Sequence, residues 1–111
     1  MSALRIRTAE PEDVPVLLGL IRELAEYERL GHEVVATEDG LRAGLFGAQA
    51  SAEALIAQVD GEVAGFALYF PTFSTFLARP GIWLEDLFVR PALRGKGYGR
   101  ALLAHLAGLA A

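Results

Sequence analysis

Residues 84–103, LEDLFVRPALRGKGYGRALL, set Glu85 and Asp86 inside an apolar run, then continue into a loop where Gly95, Gly97 and Gly99 alternate with Lys96, Tyr98 and Arg100. The run from Ile82 to Val89 has β-prone composition, and the leucines after Arg100 recur at helical spacing. Strand, glycine-rich loop and helix are therefore expected in that order. Strict alternation would put Trp83, Glu85, Leu87 and Val89 on one face of the strand and Leu84, Asp86 and Phe88 on the other. An ionised carboxylate in mid-strand is costly unless water or a counter-charge reaches it. Either at least one of the two acids lines a wet cleft, or each pairs with Arg5, Arg7 or Arg90.

The loop has its own chemistry. Glycines let backbone N–H groups turn inward with no Cβ in the way, and a helix N-terminus adds partial positive charge. With Arg94, Lys96 and Arg100 nearby, the segment is suited to a phosphate or pyrophosphate. It is not a Walker A loop, because no G-x-x-x-x-G-K-[ST] occurs. Nor is it a dinucleotide fingerprint: the pattern is G-x-G-x-G, and arginine stands at position 100.

Upstream, EALIAQVDGEVAGFALYF at 53–70 reads as two strands joined by Asp60-Gly61, a dipeptide suited to a type I′ turn. Residues 71–81, PTFSTFLARPG, read as a loop bounded by proline and glycine. Leu4 to Arg7 alternates apolar with basic, as a short strand would. TAEPEDVPVLLGLIRELAEYERL at 8–30 places Val14, Leu17, Leu18, Ile21, Leu24 and Ala25 on one helical face, with Pro11, Glu12 and Asp13 in the first turn. A shorter helix follows Thr37 as N-cap and stops at Gly47. The order β, α, α, β, β, β, loop, α predicts an α+β fold, a mixed α/β sandwich with helices laid on a mainly antiparallel sheet.

Composition narrows the function. The chain has 111 residues, 53% hydrophobic and 22% charged, which fits one domain. No cysteine occurs, so disulfide scaffolds, thiolate metal sites and cysteine nucleophiles are out; two isolated histidines, His32 and His105, make no metal site and read as structural or surface residues. A net charge of −4 argues against nucleic-acid binding. The opening MSALRIRTAE has no apolar signal core, and no run approaches the roughly 18 apolar residues of a membrane span. A cytoplasmic protein with no membrane partner is expected.

Residues 89–103, VRPALRGKGYGRALL, resemble the R/Q-x-x-G-x-G/A signature of the GCN5-related N-acetyltransferases, with Arg94, Gly97 and Gly99 at the signature positions. LIRELAEYE at 20–28 and LEDLFV at 84–89 extend the likeness toward the diamine (spermidine/spermine) acetyltransferase branch and its thialysine-acetylating relatives. The resemblance implies an acyl-CoA N-acyltransferase fold and acetyl-CoA as cosubstrate, without metal. It implies that Arg94, Gly95, Lys96, Gly97, Tyr98, Gly99 and Arg100 hold the pyrophosphate and that Leu87, Phe88 and Val89 pair with the pantetheine arm. Glu85 becomes the general base, working through water, and Glu85, Asp86, Tyr27 and Glu28 the groups that hold a small primary amine.

Magnitudes limit Glu85. A lysine-like amine near pKa 10.4 lies about six units above a glutamate near 4.3, so direct proton transfer would cost roughly 8 kcal/mol. Glu85 can instead hold the cation and accept a proton through water as the nitrogen attacks. The resemblance also implies further elements after the signature helix, including a tyrosine that protonates the departing thiolate. Tyr27, Tyr69 and Tyr98 do not match that position, and the expectation is a single domain, 1–111, incomplete at its C-terminus. Such a chain should self-associate as a homodimer. The rival to a catalytic amine acetyltransferase is a non-catalytic acyl-CoA-binding or self-associating module. Phe70, Phe73 and Phe76 read as core or loop packing, or as lining of an acceptor pocket.

Overall fold

The computed structural model describes residues 3–110 without the side chain of His32, so the expectation for that histidine lies outside the described residues. Its elements are β1 (Leu4–Thr8), α1 (Val14–Tyr27), α2 (Glu38–Phe46), β2 (Glu53–Val59), β3 (Glu62–Ser74), β4 (Arg79–Val89) and α3 (Tyr98–Ala110). The predicted order holds. The sheet runs β1-β2-β3-β4 with every neighbouring pair antiparallel.

Local chemistry explains the boundaries. Pro11–Asp13 forms a short 3₁₀ turn ahead of α1. Both terminal nitrogens of Arg7, on β1, donate to Asp13 at 2.7 and 2.8 Å, tying the edge strand to the start of the helix. Thr37 caps α2 as expected, its hydroxyl accepting from the Gly40 amide at 3.0 Å. Asp60 and Gly61 both take positive φ, 53° and 84°, as a type I′ turn requires.

Strand β2 and the Ala64–Tyr69 part of β3 are largely buried on both faces, which is why their sequences are apolar runs rather than alternations. Leu17 and Leu20 of α1 and Leu45 of α2 pack on one face against Ile56, Phe66 and Phe88. On the other, Leu102 and Leu106 of α3 meet Leu55, Ala57, Ala67 and Tyr69.

Two expectations fail. Residues 71–81 are not a loop: β3 runs on to Ser74, β4 begins at Arg79, and only a turn at 75–78 intervenes. The prolines are tolerated because β2 stops at Glu53, opposite Tyr69, so beyond that point the ribbon is two-stranded and both outer sides are edges. Pro71 faces Ile82 and Pro80 faces Phe73, two positions of the same kind in the ladder. The extension leaves Phe73 and Phe76 exposed rather than in core or pocket, while Phe70 stacks on Trp83 at 6.4 Å.

Strict alternation along β4 fails as well. Leu68 pairs with Asp86 but the next residue, Tyr69, pairs with Leu84, so Glu85 is the extra residue of a β-bulge. Leu84 thereby joins Leu87 and Val89 against the α3-side core, while Phe88 packs on the α1 side.

Candidate functional site

The site is built where β4 ends, the loop turns and α3 begins. Among the described residues no strand neighbours the outer side of β4, which leaves outward backbone groups of Leu87 and Val89 at an edge, the Val89 carbonyl accepting there from Arg94 Nε at 2.8 Å. A cleft of about 470 Å³ opens there, lined by Leu87, Phe88, Val89, Leu93, Arg94, Gly95, Gly97, Tyr98, Gly99 and Arg100 below and by Leu24, Tyr27 and Glu28 of the α1 end above. Gly95 and Gly97 take φ of 81° and 84°, the left-handed region that side chains resist, and nothing lies within 4 Å of where a Cβ would stand. Their concave side is open, next to the first turn of α3.

Charges are distributed unevenly. Arg90 is occupied structurally, pairing with Glu23 at 3.3 Å and donating to the Val63 carbonyl at 2.9 Å. Arg94 and Arg100 line the cleft, whereas Lys96 lines a separate hollow with Asp60 and Glu62 beside the β2–β3 turn. Open glycines, two cleft cations and a strand edge are a donor set that fits a pyrophosphate with an extended amide-bearing arm.

A second cavity of about 170 Å³ adjoins the cleft, sharing Leu24 and Glu28 with it. Asp86 lines it together with Glu33 and the apolar Ile21, Ala25, Leu30 and Val34. Partial burial, then the nearby charges of Glu85 and Glu28, raise the Asp86 carboxyl above its ordinary range. Glu85, pushed out by the bulge, is exposed. Among the described residues neither Glu85 nor Asp86 has an ion-pair partner: Arg5 pairs with neither, Arg7 is taken by Asp13 and Arg90 by Glu23. The structural alternative for these two acids therefore loses all three arginines.

The predicted residues thus gather into a cleft and an adjoining acidic cavity, with Glu85 on the bulge and Lys96 outside. Glu33 was missed: it ends a short 3₁₀ turn, Gly31–Glu33, after the helix, and no spacing rule ties it to Asp86. His105 is exposed on α3, as expected of a surface residue. Tyr69 is buried in the α3-side core, where burial and the charge of Glu53 raise its hydroxyl, and it does not reach the cleft. No group of three or more metal-binding side chains occurs among the described residues.

A sheet of this order with these helices recurs in solved structures. The solved ribosomal-protein-alanine N-acetyltransferase of Brucella melitensis superposes on 96% of the chain and 70% of its own with a TM-score of 0.76, at 24% identity, a likeness of fold. Residues 18–111 match the family model described as Acetyltransferase (GNAT) family. The thialysine N-epsilon-acetyltransferase of Mus musculus is 37% identical over 99% of the chain and 69% of its own length. The L-ornithine N5-acetyltransferase of Arabidopsis thaliana is 32% identical over 93% of the chain and 65% of its own. The chain belongs to the GNAT family of acetyltransferases.

Proposed function

We propose that this enzyme transfers the acetyl group of acetyl-CoA to a small primary amine, polyamine or amino-acid-like, that binds as a cation. The observation that carries the reading is the junction of two unlike cavities. A cationic, glycine-lined cleft on a strand edge shares Leu24 and Glu28 with a cavity that Glu28, Glu33 and Asp86 help to line. The relatives named for thialysine and L-ornithine support an acceptor with a terminal amine.

Bound acetyl-CoA would supply an activated thioester. Loop amides from Arg94 to Arg100, with the Arg94 and Arg100 side chains, hold the pyrophosphate, and Lys96 contributes through its backbone amide. The strand edge from Leu87 to Val89 aligns the pantetheine, and a strand N–H at Leu87 or Phe88 donates to the carbonyl oxygen where negative charge develops. Asp86 and Glu28 attract the ammonium. Glu85, exposed to water at the bulge, takes the amine's proton through solvent as nitrogen bonds to the acetyl carbon and the carbon–sulfur bond breaks. The proton still on the nitrogen passes through solvent to the departing thiolate, so the products are the acetylamine, the CoA thiol and the one proton that Glu85 releases to water. Zero cysteines fit a cytoplasmic setting.

The test is an acetyl-CoA titration by calorimetry followed by thiol release on adding spermidine, thialysine or ornithine. Binding with turnover is expected; binding without turnover would instead make the chain a CoA-holding module. Glu85→Gln should cut kcat by about 100- to 10,000-fold with acetyl-CoA affinity unchanged. Wild-type turnover in that variant would remove Glu85 from the mechanism.

A further inference from the structure

Tyr27, the last residue of α1, lies against Arg94 of the signature loop. The Arg94 guanidinium carbon sits 4.3 Å from the centroid of the Tyr27 ring and 5.4 Å from that of Phe88. Its Nε donates to the Val89 carbonyl at 2.8 Å. One hydrogen bond and two ring contacts thus hold a side chain that is otherwise exposed. Among the described residues only the Nε–H of the five guanidinium donors is engaged, and no acid pairs with the terminal nitrogens. Tyr27 and Arg94 both line the main cleft.

We infer that Tyr27 is a positioning residue for the donor: its ring holds the Arg94 guanidinium so that the two free terminal nitrogens meet the pyrophosphate of acetyl-CoA. A planar fork already oriented loses less freedom on binding a phosphate oxygen pair than a loose arginine does. This role differs from the acceptor contact that the family resemblance implies for Tyr27, and it requires the aromatic face rather than the hydroxyl. It also links the two ends of the reaction, since Glu28, the next residue, lines the cavity of Asp86. The inference rests on the proposed use of acetyl-CoA.

Tyr27 is 65% exposed, so its replacement leaves the core intact. Tyr27→Leu should weaken acetyl-CoA binding by about 2- to 10-fold, with KM for the amine unchanged, and Tyr27→Phe should restore the affinity. With S-acetylpantetheine, which has no phosphate, Tyr27→Leu should cost kcat/KM several-fold less than it does with acetyl-CoA. In an Arg94→Ala background the loss caused by Tyr27→Leu should vanish. Undiminished acetyl-CoA affinity in Tyr27→Leu, an equal loss with both donors, or additive losses in the double variant would overturn the inference. A rise in amine KM with Tyr27→Phe alone would return the residue to the acceptor. Failure of the wild-type chain to bind acetyl-CoA would be a different result and would remove the proposed function itself.

Discussion

Asp86 is kept where its charge is expensive. Burial, with Glu85 and Glu28 nearby, raises its carboxyl above the ordinary aspartate value of about 3.9. Between that value and the raised one the folded chain binds more protons than the unfolded chain, so stability falls as pH rises, and the cost persists at neutral pH. Asp86→Asn should therefore raise the melting temperature at pH 7 and leave it unchanged well below the ordinary aspartate range. The same variant should raise KM for the amine by about tenfold, the usual scale for a lost charged partner. Thermal melts across pH with steady-state kinetics check both; a less stable variant at pH 7 would make Asp86 a structural acid. Asp13 behaves in the opposite sense. Its hydrogen bonds from Arg7 lower its carboxyl, so that contribution is present above the ordinary range and is lost as pH falls through the lowered value.

At the scale of elements, the loop between β4 and α3 should tolerate a side chain in folding and fail in binding. The Cβ of Gly97→Val meets no atom within 4 Å, and the free chain bears left-handed backbone strain on the order of 1–2 kcal/mol. The added methyls would stand in the cleft, and acetyl-CoA affinity should fall more than tenfold while circular dichroism shows a folded protein. Retained affinity would dismiss the loop as the pyrophosphate site. Much of this was legible from residues alone: Thr37 announces α2, Asp60-Gly61 announces the turn, and the glycine spacing announces the anion loop. The bulge at Glu85 was not, because period-2 patterning assumes unbroken pairing, and only the register against Leu68 and Tyr69 shows the extra residue. The strand at 71–74 was hidden by Pro71, whose exclusion from sheets holds for central strands and not for the outer side of a two-stranded ribbon. The acidic cavity escaped for another reason: it joins α1, the segment after it and β4, residues far apart in the chain.

Taken whole, the molecule covers its sheet unequally. Helices α1 and α2 close one face, while α3 buries Leu102 and Leu106 on the other and leaves Leu103 and Leu109 about half exposed. Ile82, Leu84, Leu103, Leu106, Ala107 and Ala110 line an apolar groove beside the outer edge of β4, and Phe73, Phe76, Leu77 and Trp83 are exposed on the β3–β4 ribbon. An apolar groove next to a strand edge favours association with a like surface. Sedimentation equilibrium should accordingly give a homodimer, and Leu103→Lys should shift it to monomer without touching the two buried leucines of α3. The groove uses the Ile82–Leu84 part of β4 and the cleft uses Leu87–Val89, so dimerisation and donor binding occupy different parts of one strand. The monomeric variant should then keep wild-type acetyl-CoA affinity. A wild-type chain that sediments as a monomer would dismiss the groove as an interface, whereas loss of affinity on monomerisation would mean that the second copy helps to form the cleft.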